Sequence, residues 1–302
     1  ASGQPRRRAD AGSLEDAVRP AIRGLKALRR AICRNARTAS STPTSPARDG
    51  KRRRTLTFHL RRGKPADALP DCDKACALSP DRAHHEILRG GTLEMLGQKI
   101  DAAVAFRRVL ELEPENFVAN ERLAILERAL GRPTEALAAA DRAARIDPSG
   151  SSPHHARGNV LLDAKRYDEA QAAFTKAGEL DRSWSAPHVG RGQTHIAAGR
   201  QEEAIAAFDD ALRFDATDVI AMKGRGDALL TLHRNEEALV VFEAAIALDS
   251  GWQLAHFGRA CALVALGRFE DAIPSLDRAL ELDPEFRAAR ESRDRVRAAV
   301  DH

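Results

Sequence analysis

The chain has 302 residues, with 48 Lys+Arg against 44 Asp+Glu, a formal charge of +4 and four Cys. It contains no run of 18 apolar residues to span a bilayer and no apolar signal core at its start. Its sparse cysteines argue against a disulfide scaffold and for a reducing, cytoplasmic setting. Only 13 residues are Phe, Trp or Tyr while Ala dominates the apolar fraction, which points to closely packed helices rather than a β-rich fold. The charge is divided: residues 1–64 hold 18 basic and 4 acidic side chains (+14), and the remaining 238 hold 30 and 40 (−10).

Residues 1–48 read as a basic arm. Within it, Leu14, Val18, Ile22, Leu25, Leu28 and Ile32 recur at steps of three or four, which predicts an amphipathic helix over about 13–34. Ser13 is placed to cap it, with Glu15 and Asp16 in the first turn and Pro20 early. The opposite face carries Arg19, Arg23, Lys26, Arg29, Arg30 and Arg34. Thr38–Arg54 is Ser/Thr/Pro-rich and polybasic, the composition of a linker. Such an arm has three possible partners: an acidic membrane, a nucleic acid, or the acidic body of its own chain.

From 83 to 286 the chain divides without gaps into six blocks of 34 residues. Position 20 of every block is Ala: Ala102, Ala136, Ala170, Ala204, Ala238 and Ala272. Position 8 is Gly90, Ala124, Gly158, Gly192, Gly226 and Ala260, and position 27 is Val109 and then Ala in the next five blocks. Position 24 is Phe106, Ala140, Phe174, Phe208, Phe242 and Leu276. Small residues let two antiparallel helices approach, and the bulky one fills the space they leave. Gly97, Gly131, Gly199 and Gly267 at position 15 predict the intervening turn, and Pro114, Pro148 and Pro284 stop the second helix. Helix A then covers roughly positions 2–14 and helix B roughly 18–30. Residues 49–82 fit one further, degenerate block through Gly63, Ala68, Cys72, Ala75 and Pro80. Pro70 and Pro274 at position 22 fall where they would shorten or kink helix B. Residues 287–302 predict a capping helix, strongly charged outside and apolar through Ala289, Val296 and Val300.

This period and its small–Gly–Ala–aromatic–Ala–Pro spacing resemble the tetratricopeptide repeat family, in a bacterial form, over about two-thirds of the chain. Two positions depart from the family pattern. Position 7 is Arg89, Arg157, Arg191, Arg225 and Arg259 instead of Leu, and position 4 is His154, His188 and His256 instead of an aromatic. The resemblance implies an all-α, right-handed α-solenoid of antiparallel helix pairs, a superhelix closed by the C-terminal capping helix.

It also implies a protein or peptide partner held in a concave groove lined by helix A. Helix A positions 2, 5, 9, 12 and 13 give His84, Ile87, Glu94, Met95, Glu121, Ile125, Arg128, His155, Asn159, Leu162, Asp163 and Val189. They continue through Gln193, Ile196, Lys223, Asp227, Leu230, Leu254, Phe257 and Val264. The earlier part of this set is mixed and acidic, the later part more apolar. The family's carboxylate clamp is missing, since positions 5 and 9 pair as His155/Asn159, Val189/Gln193 and Lys223/Asp227. The Asn ladder of its sugar-transferase members is missing too, with Ala156, Gly190, Gly224 and Gly258 at position 6.

The remaining motifs read as packing. Cys72 and Cys76 are spaced to share a metal on a helix, but Cys72 holds core position 24 and no second ligand pair accompanies them. The three position-4 histidines stand where packing residues belong. No phosphate loop, paired-His zinc motif or nucleophile elbow occurs in the sequence. The expectation is therefore a non-catalytic protein–protein interaction scaffold with no cofactor, no metal and no small-molecule substrate. Two alternatives stand beside it. One is a regulatory or targeting subunit whose arm contacts nucleic acid or acidic membrane; the other is a non-catalytic fragment of a larger repeat-bearing enzyme.

Overall fold

The computed structural model describes residues 65–300. The predicted arm helix, the linker and the first half of the degenerate block lie outside the described residues. The described chain forms fourteen helices: α1 Pro65–Leu78, α2 Ala83–Met95, α3 Lys99–Leu112, α4 Phe117–Ala129, α5 Pro133–Ile146, α6 Ser151–Asp163 and α7 Tyr167–Leu180. They continue with α8 Ala186–Ala197, α9 Gln201–Phe214, α10 Val219–Thr231, α11 Asn235–Leu248, α12 Gln253–Ala265, α13 Phe269–Leu282 and α14 Arg287–Val300. No strand occurs among the described residues. Even-numbered helices from α2 to α12 are the predicted helices A and odd-numbered ones the helices B, each starting about one residue earlier than expected. Contacts group the described residues into two compact units, residues 65–190 and residues 191–300. α13 begins at the same block position as its counterparts, so Pro274 lies inside a helix it does not shorten.

Each turn from helix A to helix B repeats one hydrogen-bonded form. The N–H at position 16 donates to the carbonyl at position 11, as from Gln98 to Leu93 (2.9 Å), Arg132 to Glu127 (2.9 Å) and Arg234 to Leu229 (2.9 Å). This closure needs a left-handed residue at position 15. Gly97, Gly131, Gly199 and Gly267 supply it at φ between 72° and 75°, and Lys165 and His233 are forced to φ 59° in the two blocks without Gly. A side chain in that region costs roughly 1–2 kcal/mol, partly offset by the chain entropy a glycine brings. Lys165→Gly and His233→Gly should each raise stability by up to about 1 kcal/mol, and Gly131→Ala should lower it by about the same, as read by denaturant midpoints.

The position-24 phenylalanines are fully buried, and glycine leaves room for them. A Cβ added at Gly158 or Gly190 would lie within 3 Å of the Phe174 ring. Gly192 and Gly224 hold Phe208 in the same way, as do Gly226 and Gly258 for Phe242. Each ring thus sits between position 8 of its own block and position 6 of the next. Where position 24 is the small Ala140, the flanking residues are Ala124 and Ala156 and neither position is glycine.

Position 7 arginine reaches back sixteen residues to a carboxylate at position 25 of the preceding helix B. Arg89 pairs with Asp73 (2.8 Å), Arg157 with Asp141 (2.7 Å), Arg225 with Asp209 (2.6 Å), Arg259 with Glu243 (3.1 Å) and Arg293 with Asp277 (3.3 Å). Two blocks depart from this. Arg191 has Thr175 sixteen residues earlier and lies 3.9 Å from Asp210 instead. In the second block the change is reciprocal, with Leu123 at position 7 and, sixteen residues earlier, Arg107, which pairs with buried Glu127. These half-exposed bridges contribute at most about 1 kcal/mol each, so they set register between neighbouring repeats more than they stabilise the fold.

The loops from helix B to the next helix A are tied at two points. Carboxylates at position 31 accept from the backbone N–H two residues on, as Asp147 does from Ser149 (3.2 Å), Asp181 from Ser183 (3.0 Å) and Asp215 from Thr217 (3.1 Å). Position 4 side chains reach the carbonyl six residues back: His154 to Pro148 (3.4 Å), His256 to Ser250 (3.0 Å), Asn120 to Pro114 (3.5 Å) and Arg290 to Pro284. His154 and His256 therefore serve as loop fasteners at the position where the family carries an aromatic.

Candidate partner-binding surface

In the unit of residues 65–190, most polar side chains of the predicted set are held by neighbours. Arg122 of α4 donates to Glu94 of α2 (3.1 Å), and Ser152 of α6 donates to Glu121. Arg128 grips Asp163 with two bonds (2.6 and 3.2 Å). His84 stands half-buried with its ring 6.3 Å from that of His85, and Glu94, Met95 and Leu162 are half-buried. Ile125 is the exposed apolar side chain of this surface, at 40%. Ile87 and Val189 are buried at 5% and 7%, so these two have little surface to offer a partner. Ile87 packs instead into the core with Leu93, Ala102 and Phe106.

His155 is the most perturbed group of this surface. Its ring packs 4.6 Å from Trp184 and 5.5 Å from Phe174, and Asn159 lies 3.3 Å from its Nδ1. Burial against these rings, with the Arg128 guanidinium nearby, pulls its pKa down from 6.5 to about 4. The imidazole is thus neutral at physiological pH.

In the unit of residues 191–300 the surface changes character. Lys223 and Asp227 neutralise one another one turn apart (2.5 Å). Gln193 is exposed, and Ile196, Leu230, Leu254, Phe257 and Val264 are half-buried apolar side chains. Phe257 meets Phe286 at 4.9 Å with a tilt of 56°, a favourable aromatic geometry. Cys261 is half-buried on the same helix, its thiol pushed up to about 11 by burial and then by Asp227.

Two residues of this surface escaped the register-based list. Trp184 and Phe286 both occupy position 34, just before helix A, and each covers the position-5 ring 29 residues earlier, His155 and Phe257. An aromatic at 34 following a ring at 5 is the signal that would have found them. Cys72, by contrast, is fully buried and bound to the Thr92 hydroxyl (3.5 Å), and burial pushes its thiol up to about 11. The Cys76 thiol is pushed up to about 12 by burial and by Glu86. Both are in their protonated form and serve packing.

A family model described as tetratricopeptide repeat matches residues 88–151, 155–219 and 189–253, and a second of the same description matches 254–286. Among solved structures, a tetratricopeptide repeat protein from Parabacteroides merdae superposes with a TM-score of 0.66 at 17% identity, covering 82% of this chain and 98% of its own. PilF of Pseudomonas aeruginosa does so at 0.59 and 17% identity, covering 72% of this chain and 97% of its own. YrrB, a TPR protein with an unusual peptide-binding site, does so at 0.50 and 23% identity, covering 64% of this chain and 99% of its own. At these identities the likeness concerns the fold. No curated protein matches the chain.

Proposed function

The chain belongs to the tetratricopeptide repeat family, and from that premise we propose that it is a non-catalytic scaffold that binds a protein segment along its helix A surfaces. The observation that carries this reading is the apolar surface of residues 191–300. There Leu230, Leu254, Phe257 and Val264 stay partly open beside a charge pair that is already neutralised. Such a surface favours apolar anchors on an extended or helical segment. The surface of residues 65–190, with its internally paired charges, would discriminate among segments by the cost of leaving a bridge such as Arg128–Asp163 unpaired.

The test is selection from a displayed library of random 16-residue peptides on the full chain. Binders with apolar anchors are expected, and Phe257→Ser with Leu230→Ser should weaken them at least tenfold without lowering helicity. Affinity unchanged by that pair would contradict the proposed surface. A second reading rests on the +14 charge of residues 1–64: the chain is a targeting subunit whose arm holds nucleic acid or acidic membrane. Polyanion binding that is abolished by neutralising the arm's arginines would favour it.

A further inference from the structure

The solvent-facing side of helix B differs between the beginning and the end of the array. At positions 18 and 22 the last four blocks start with an acid: Asp168, Glu202, Glu236 and Glu270. The first three outward helices carry no charge there. They present Ala66 and Pro70 on α1, Ile100 and Val104 on α3, and Thr134 and Ala138 on α5, all exposed. Ile100 is 61% and Val104 50% exposed, one turn apart on one face. Among the described residues no helix covers this strip. Beside it, at position 19, stand Asp67, Asp101 and Glu135, which enter no ion pair among the described residues.

The chain itself supplies a segment of matching chemistry. Residues 13–34 carry one apolar stripe and one face of Arg19, Arg23, Lys26, Arg29, Arg30 and Arg34. The described chain begins at Pro65, at the start of α1 and next to Ala66, the edge of the strip. A linker of the length of Thr38–Arg54, if it behaves as a flexible chain, has a reach of about 23 Å. One step between outward helices is at most about 20 Å, twice the usual interaxial distance, so α1 and α3 are within that reach. At such a tether length the effective concentration is about millimolar, so a weak contact suffices.

We propose that the amphipathic segment Ser13–Arg34 docks on the uncharged strip of α1, α3 and α5, its apolar stripe on Ile100 and Val104 and its arginines toward Asp67, Asp101 and Glu135. The arm then lies on the helix B side and leaves the helix A surfaces open. This contact is independent of what binds there.

Limited trypsin cleavage of the full chain tests the contact, because Arg23, Lys26, Arg29 and Arg30 are cleavage sites within the docked segment. Ile100→Gln with Val104→Gln should speed cleavage at these sites at least fivefold, and so should Leu25→Gln with Leu28→Gln. Val240→Gln, at an even more exposed valine (65%) at position 22 of a later block, should leave the rate unchanged. Circular dichroism melts confirm that the strip variants stay folded. Equal cleavage in the wild type and both double variants would overturn the proposal. So would protection that rises with protein concentration together with a dimeric mass in sedimentation, which would assign the strip to a second copy.

Discussion

Replacing Phe208 with Ala is expected to lower the unfolding free energy of its repeats by about 3–5 kcal/mol, the largest effect of any single substitution considered for this chain. The ring is 1% exposed and lies between Gly192 and Gly224. Because both faces are occupied, the ring cannot retreat from a new methyl group, and Gly224→Ala should cost about 1–3 kcal/mol by overpacking. The informative variant combines all three changes. Gly192→Ala, Phe208→Ala and Gly224→Ala together reproduce the Ala124–Ala140–Ala156 arrangement that the second block already uses. Two methyl groups then enter the space the ring leaves, and two helical glycines become better helix formers. The triple variant should melt above Phe208→Ala alone. Simple addition of the three losses would show that the glycines are not there to admit the ring.

Acid should destabilise the unit of residues 65–190 through His155. Its folded pKa of about 4 lies below the ordinary 6.5, so between these values the unfolded chain binds a proton more readily than the folded one. The stabilisation is therefore complete above pH 6.5 and is lost as pH falls toward 4. The full shift corresponds to about 3 kcal/mol, and the ring's partial exposure reduces this to about 1–2 kcal/mol. Burial, then Arg200 and Arg191, lowers the His195 pKa as well, so the wild type has more than one acid-sensitive site. The measurement is accordingly a difference. His155→Phe, which keeps an aromatic against Phe174 and Trp184, should lose less stability than the wild type between pH 7 and pH 5. Trp184 fluorescence should titrate with His155 in the wild type and stay flat in the variant. Equal pH dependence in the two proteins would remove His155 as the cause.

The repeat architecture was legible because its determinants are local and periodic. Ala at position 20, Phe at 24 and Gly at 15 each answer one steric demand, and each recurs at the same register. Less was legible where a residue acts across a repeat boundary. In most blocks Arg at position 7 reads as a departure from the family until its carboxylate sixteen residues earlier is seen. Leu123 with Arg107 shows the two positions changing together, while Arg191 has Thr175 at that place and Asp210 nearby. Gly190 and Gly224 likewise look like the loss of an Asn ladder, whereas they admit the preceding repeat's phenylalanine. The candidate surface was legible in direction but not in depth. Register places Ile87, Val189 and Ile125 on one side of their helices, yet two are buried and one is exposed. Depth depends on what the neighbouring loop contributes, as Trp184 over His155 and Phe286 against Phe257 illustrate.

The charge division also has a structural reading. Many carboxylates of the −10 body are already engaged, at position 25 with arginine and at position 31 with loop backbone. Asp67, Asp101 and Glu135 are among the carboxylates outside these pairs and form one row. Long-range attraction between the two halves is thus expected to be weaker than the totals suggest.

The central claim, that a partner segment lies along the helix A surfaces, is tested most directly by amide hydrogen exchange of the full chain with and without a saturating selected peptide. The account predicts slowed exchange in α10 and α12, around Leu230, Leu254, Phe257 and Val264, with α11 and α13 unchanged. Protection confined to helices B, with α10 and α12 unaffected, would contradict it.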